Sequence, residues 1–372
     1  MRIGIVTFHR ANNLGAVLQA SALEYYLQKE NYECEIIDYY PNNYHKSGMI
    51  RKIAHYVKRI FAFSKYKKVF EKEKKYEEYR SSYMTLSLKK YYGDEEIAIN
   101  PPQYDLLISG SDQIFNTTLT GNSKAYYLNF AQKTPKISYA SSFGRNNISK
   151  DELENIKNEL KKFQKISVRE ASAKKIIKEI IGLCPELVLD PVFLLEKSEW
   201  DNRRKVNENL PPRYIFVYSM EKSCLLEQMV IVLKQQYEIP VIVVRGGGKA
   251  GCIAGQEDDA CGPRDFLEYI YNAEFVITNS FHGVAFSIIF EKKFYVIAHS
   301  ARNARIESLM ELVGKEKSII CNEIGVANKQ ENLIDGQECG SLLYNMKLNS
   351  KAYLYNAIRT ISELDEFVDN SI

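Results

Sequence analysis

Short runs of apolar and β-branched residues alternate with stretches of helical periodicity along almost the whole 372-residue chain. That alternation predicts parallel α/β architecture. Residues 2–8 read as a buried strand, and after a loop Leu14, Val17, Leu18, Ala22, Tyr25 and Tyr26 mark one face of a helix. Further strands are predicted at 35–38, 106–109, 137–141, 166–169 and 187–190. Ser149 and Glu152, spaced as a capping box, open the helix between the 137–141 and 166–169 strands. A second series places strands at 214–218, 241–244, 275–278 and 294–298, again with helices between them.

The two series are separated by residues 197–212, a polar segment ending in Pro211-Pro212 that reads as an interdomain linker. The predicted organisation is therefore a Rossmann-like domain over 1–196 and a second over 213–349, facing each other across a cleft. A C-terminal helix within 350–372, amphipathic from Ser350 to about Val368, is a candidate to cross back to the first domain. One insert, at about 48–92, breaks the rhythm and is read as helical and basic. Its core, 51–90, holds 13 Lys and Arg against 4 Glu in a chain whose net charge is only +3. Ile50, Ile53, Ala54, Val57, Ile60 and Phe61 form a stripe there. Two readings stand: a helix packed on the domain with a solvated basic face, or a surface that rests on anionic lipid or grips a polyphosphate.

Composition narrows the function classes. With 45% apolar and 26% charged residues the chain is an ordinary globular protein. The small net charge argues against general nucleic-acid binding. No run of 18 apolar residues is present, and MRIGIVTFHR is not a secretory signal. Seven cysteines without a C-x-x-C argue against a disulfide framework, and no His lies near Cys252 and Cys261, so no metal site is expected. These features predict a cytoplasmic protein. The 26 Tyr and 17 Phe suit stacking surfaces.

In open α/β sheets ligands bind beyond the carboxyl ends of strands. Four such junctions carry polar residues. The first is TFHRANNLGAVLQ, where Asn12, Asn13 and Gly15 suit a tight turn into a helix N-terminus that can receive an anion, or a plain βα turn with an Asn cap. The second, SGSDQIFN, offers Ser111, Asp112 and Gln113. Asp112 is a candidate base or a turn cap. The third, SVRE, ends in Arg169, whose guanidinium fits phosphate or carboxylate as well as a surface ion pair. The fourth, Thr278-Asn279-Ser280-Phe281-His282-Gly283, puts His282 in the first turn of a helix, where the dipole disfavours an imidazolium unless an anion is bound.

Arg245 and the Gly-rich stretch GGGKAGCIAG lack the spacing of a P-loop and read as a loop able to close over substrate, while Gly262, Arg302 and Arg305 look toward the same cleft. Asp112, Asp190 and Asp265 do not make a case for a glycosidase pair, and Asp190-Pro191 reads as the end of a strand.

Taken in order, TFHRANNLGAVLQASAL, DLLISGSDQIFN, ISYASSFG, ISVRE, VLDPVFLL and GPRDFLEYIYNAEFVITNSFHGVAFSIIFEKKF resemble the polysaccharide pyruvyl transferase family. The resemblance implies a two-domain fold like that of GT-B glycosyltransferases. It implies transfer of pyruvate from phosphoenolpyruvate, as a cyclic ketal, onto two hydroxyls of a sugar in a bacterial surface or capsular polysaccharide or its lipid-linked precursor. Phosphate is released, and no cofactor or obligatory metal is needed. His282 matches the motif histidine, with a role in proton transfer or phosphate stabilisation. Arg169 matches the arginine that pairs with the donor's anionic groups. Asn13 and Gly15 match the first-loop motif, and Asn279, Ser280 and Arg305 fall on the donor side. Better-studied members carry Arg-Leu-His-Gly where this chain has Ser280-Phe281-His282-Gly283. Loss of that guanidinium removes an anion clamp worth about 1.5–3 kcal/mol, or about 10–150-fold in affinity, which Arg245 or Arg302 would have to replace. The alternatives are a nucleotide-sugar glycosyltransferase of the same shape and a non-catalytic glycan-binding protein.

Overall fold

The computed structural model describes residues 1–41, 63–145, 148–247, 253–300 and 304–369. The stripe at 50–61, Arg302 and most of the Gly-rich loop lie outside them. In the first domain β1 (Arg2–Val6) leads through a loop into α1 (Leu14–Lys29) and β2 (Glu33–Tyr40). Then come α2 (Phe63–Tyr83), β3 (Leu86–Tyr92), β4 (Leu106–Ser109) and β5 (Lys136–Ser138). The sheet order is β3-β2-β1-β4-β5, parallel throughout. Beyond it β6 (Ser167–Val168) and β7 (Glu186–Leu187) continue the layer through bridges at Ile137–Lys165 and Ser141–Val168.

The second domain repeats the plan. It holds β8 (Ile215–Ser219), β9 (Val241–Arg245), β10 (Gln256–Glu257), α3 (Pro263–Asn272), β11 (Phe275–Thr278), α4 (Phe281–Ile289), β12 (Lys293–Ile297) and β13 (Ile319–Ile320). Its order is β10-β9-β8-β11-β12-β13, with β14 (Ile334–Asp335) antiparallel on β12. Helices cover both faces of each sheet, which is why β8 and β11 are buried at every position and read as continuous apolar runs. In each domain the strand order reverses beside the first strand, β1 or β8, and the carboxyl ends there border one cleft.

Four expectations are corrected. Part of the 48–92 insert is a strand, not helix: 86–92 buries Ser87 and Tyr91 and pairs with the open edge of β2. The strands at 137–141, 166–169 and 187–190 shrink to two or three residues; the first breaks at Ala140, whose φ is 52°, and pairing continues past it only as isolated bridges at Ser141. Helix α1 is buried nearly all round, including Gln19, Ser21 and Glu24, because its polar side faces α2 and the linker region rather than solvent. The Ser149 cap forms, accepting from the Glu152 amide, but the Glu152 carboxylate pairs with Arg145 and Thr117 instead of closing the box.

Segment 197–212 opens with a helix, Lys197–Asp201, whose Trp200 is fully buried, edge-on to Phe286 at 4.9 Å, with Nε1 donating to the Val192 carbonyl (2.9 Å). The apolar core runs unbroken through this contact, from Leu189 and Phe193 to Phe266 and Phe286. Two ion pairs from α2, Lys75 to Asp265 (2.8 Å) and Lys68 to Asp259 (3.2 Å), also join the domains. The last helix, α5 (Tyr344–Asp369), begins before Ser350 and does cross back: Ser350 Oγ accepts from the Leu189 amide and Tyr353 donates to the Ser138 carbonyl (both 2.9 Å). Among the described residues no helix is long and apolar enough to cross a membrane.

Candidate active site

The turn between β11 and α4 forms the second-domain wall of the cleft. Thr278 Oγ1 donates to the Tyr218 carbonyl (2.8 Å) and accepts from the Ser280 amide (3.0 Å), which pins the chain as it leaves the sheet. Asn279 Oδ1 accepts from the Met220 amide (2.7 Å), while its Nδ2 is buried without a hydrogen-bond partner. His282 follows in the first turn of α4, buried, its Nε2 also without a hydrogen-bond partner. Opposite stands the first-domain loop. Asn13 caps α1 by accepting from the Ala16 amide (3.1 Å). A Cβ on Gly15 would lie 1.9 Å from His282 Nδ1, so only glycine lets the two domains meet here.

Beneath His282 two guanidiniums meet two carboxylates. Arg169 pairs with Asp190 and lies 3.5 Å from Asp112, and Arg305 approaches Asp112 at 3.6 Å. Asp190 Oδ2 also accepts from Ser111 Oγ (3.1 Å) and lies 3.8 Å from His282 Nε2. The Phe281 ring covers Arg169, 4.5 Å from its guanidinium carbon, a favourable cation–π contact. Asp112 holds a backbone φ of 74°, an uncommon region for a residue with a side chain and one that clusters at functional sites.

Charge and burial set the protonation states. Burial drives His282 down to about 4; the carboxylates of Asp190 and Asp112 oppose this, and the arginines reinforce it. The imidazole is therefore neutral at ordinary pH. For Asp112 burial favours the acid, but Arg169 and then Arg305 outweigh it and hold the carboxyl below its usual value. Burial likewise works against charged Arg169, yet Asp190 and Asp112 keep it firmly cationic.

The cavity between these walls has a volume of about 60 Å³. Asn13, Asp112 and Gln113 line it from the first domain and Asn279, Ser280, His282, His299 and Arg305 from the second. Asn13, Asp112 and Gln113 also border a larger hollow of about 390 Å³ in the first domain, walled by Phe8, Tyr39 and Tyr126. Among the described residues no group of three His, Cys, Asp or Glu side chains is placed to hold a metal ion.

A family model for polysaccharide pyruvyl transferases matches residues 13–301, from the cap of α1 to past His282. The chain belongs to the polysaccharide pyruvyl transferase family. No curated protein matches the sequence. The fold is similar to that of UDP-N-acetylglucosamine 2-epimerase from Rickettsia bellii, with a TM-score of 0.54 and 11% identity over 98% of this chain and 97% of that one. The putative UDP-N-acetylglucosamine 2-epimerase of Listeria monocytogenes gives 0.53 and 11% over 92% and 90%. The Neisseria meningitidis UDP-GlcNAc 2-epimerase bound to UDP-GlcNAc gives 0.52 and 11% over 96% and 100%. At such identity the likeness establishes the GT-B arrangement of two Rossmann-like domains.

Most of the residues singled out from the transferase sequence do meet: Asn13, Gly15, Ser111, Asp112, Gln113, Arg169, Asn279, Ser280, His282 and Arg305 lie at the cleft or directly behind it. Three do not. Asn12 accepts from Arg80 (3.0 Å) and belongs to the stitching of the first loop. Gly262 caps α3 and packs on α2, where a Cβ would lie 2.6 Å from Lys75. Arg245 ends β9 paired with Glu257, off the cleft wall. Asp265 is spent on Lys75 and on the Gly262 amide.

Asp190 corrects the opposite error. Its Oδ1 caps the short turn after it, accepting from the Val192 amide (3.1 Å), while Oδ2 faces Arg169 and His282. The rule of strand carboxyl ends that selects Asp112 would have selected it. His299 was also missed. It follows β12 onto the cavity wall, with Nδ1 3.5 Å from Glu221, and no local motif marks it.

Proposed function

We propose that this cleft transfers pyruvate from phosphoenolpyruvate to two hydroxyls of a sugar as a cyclic ketal. The observation that carries the reading is His282: a neutral, buried imidazole whose Nε2 has no hydrogen-bond partner, at the N-terminus of α4 and beside Asp190. The helix N-terminus favours the donor's phosphate or carboxylate, and Asn279 Nδ2 and Arg305 line the same wall. A hydroxyl of the acceptor adds to C2 of the enol pyruvate, giving its proton to His282, and the imidazolium so formed is stabilised by Asp190. The imidazolium returns that proton to C3, which becomes the methyl group of the ketal; the C2–O bond to phosphate then breaks, and the second hydroxyl closes the ring while its proton leaves with the phosphate. Arg169 acts from behind, fixing Asp190 and Asp112, rather than by direct pairing with the donor. Among the described residues Arg305, on the cavity wall 3.6 Å from Asp112, is placed to take the role of the arginine replaced by Ser280.

The cavity's lining supports an anionic donor: Asn13, Asn279, Ser280, His282 and Arg305 present polar groups suited to a phosphoryl or carboxylate group. The adjoining aromatic hollow suits the acceptor sugar, whether polymeric or lipid-linked. Peripheral contact with anionic lipid belongs to the same proposal: Val69 and Phe70 are exposed on α2 beside basic residues. Flotation with anionic but not neutral vesicles supports it, and flotation indifferent to lipid charge overturns it.

The test of the donor is calorimetric titration of phosphoenolpyruvate into wild type and His282→Ala, with UDP- and GDP-sugars as competitors. Saturable binding that weakens in the variant supports the ketal reading. Binding of a nucleotide sugar alone gives the cleft to glycosyl transfer.

A further inference from the structure

Away from the cleft, where α1, the end of α2 and the linker region meet, lies a hollow of about 420 Å³ that the proposed chemistry does not use. At its wall is Glu24, 1% exposed. Its Oε1 accepts from the Thr85 amide (2.6 Å) and from Gln28 Nε2 (3.1 Å), but Oε2 is buried and has no hydrogen-bond partner. A buried carboxyl oxygen left unpartnered is costly, and such a group bordering a cavity points to a partner that the cavity admits. Burial is also the main cause that pushes this carboxyl up to about 7.

The other walls say what that partner is. Arg203 lies flat near Tyr25, Tyr83 and Trp200, its guanidinium carbon 4.7–5.2 Å from their ring centroids. Its Nη1 donates to Ser21 (3.1 Å) and Tyr79 (3.4 Å). A cationic ligand would meet the positive charge of Arg203 beside these rings. An anionic ligand would face Glu24, Glu199 and the C-terminal end of α2, the negative end of its dipole. What remains is an uncharged, hydroxyl-rich compound. A carboxyl group accepts from hydroxyls, the guanidinium donates to them, Gln28 and Asn202 extend the polar rim, and Tyr25 offers a stacking face.

We propose that this hollow is a second saccharide-binding site, taking one uncharged sugar residue on Glu24, Arg203 and Tyr25. It is separate from the acceptor site in the cleft and does not depend on the identity of the donor. On a polymeric substrate it would hold a stretch of chain distant from the reacting unit, so that binding at one site raises the effective concentration at the other.

The test is saturation-transfer NMR on the whole protein. Glucose, galactose, mannose and N-acetylglucosamine are titrated to about 50 mM, the range in which single sugars bind. Galacturonate and galactosamine serve as the anionic and cationic counterparts of galactose. The site predicts that at least one neutral sugar saturates, that Glu24→Gln and Tyr25→Ala each weaken it about tenfold, and that His282→Ala leaves it unchanged. Glu24→Gln keeps the side chain's shape; if it does not fold, Tyr25→Ala decides, since Tyr25 is over one-third exposed. Saturation by no neutral sugar overturns the proposal, as does tighter binding of either charged sugar. Binding abolished by His282→Ala but not by Glu24→Gln also overturns it, and assigns the sugar to the cleft without harm to the transferase reading.

Discussion

The two walls of the cleft are built on opposite principles. In the first-domain loop nearly every polar group is answered from within the protein. Arg80, buried on α2, donates to the carbonyls of His9 (2.8 Å), Arg10 and Ala11 (both 3.1 Å). Arg10 Nε donates to Asp38 (2.6 Å), whose other neighbour is buried His9 (3.2 Å). The second-domain turn is pinned by Thr278 Oγ1 and Asn279 Oδ1, but it leaves Asn279 Nδ2 and His282 Nε2 without hydrogen-bond partners. Orphaned buried polar atoms are costly, so they persist where a ligand supplies the missing bond. The first wall is thus a rigid platform and the second the reacting surface, with Gly15 the point where they touch.

The strongest way to break this contrast is His282→Ala. Turnover should fall by about 10²–10⁴-fold while the thermal midpoint barely moves; a variant that keeps its rate removes His282 from proton transfer. Asp190→Asn should cost about 3–5 kcal/mol of unfolding free energy, because Arg169 would be left buried with a weakened partner. Denaturant titration checks this, and a loss under about 1 kcal/mol would mean that Asp112 alone suffices. Gly15→Ala drives a methyl group into the imidazole and should destabilise by about 1–3 kcal/mol, with turnover falling more than stability explains.

Arg80→Met sharpens the comparison from the platform side. It strips the donors from three carbonyls at an expected cost of about 1–3 kcal/mol, with phosphoenolpyruvate affinity changing far less than in His282→Ala. If affinity falls as far, the platform itself touches donor. The last check is the pH dependence of stability. The folded protein holds His282 near 4 against an ordinary 6.5, so between these values the unfolded chain binds the extra proton and stability drops as the pH is lowered. Glu24, raised from 4.5 to about 7 by burial, acts in the reverse sense, losing stability as pH rises over that span. Unfolding curves for His282→Gln and Glu24→Gln should each lose one of these slopes.

Local patterns carried a large part of this. Strand and helix periods, the Ser149 and Asn13 caps and the apolar β11–α4 run depend on neighbours in the chain, so they are legible without the fold. The same holds for His282 and Asp112, since a strand's carboxyl end points to the cleft wherever that strand sits in its sheet. Where reading failed, the cause was a distant partner. Gly262 looks like a loop glycine until Lys75 is brought 2.6 Å from where its Cβ would be, and Arg245 looks available until Glu257 pairs with it. The strand at 86–92 is too polar to announce itself and forms because β2 presents an open edge.

By itself, then, the sequence determined the α/β class, the two βα series, the family and the polar junctions from which a site could be drawn. Only the tertiary structure decided that Arg169 faces two carboxylates rather than solvent, that Asp190 stands beside His282, and that the polar side of α1 lines a cavity. The physical reason is range. Propensity, capping and periodicity act over a few residues, whereas desolvation and charge pairing depend on which groups the two domains bring together when they close.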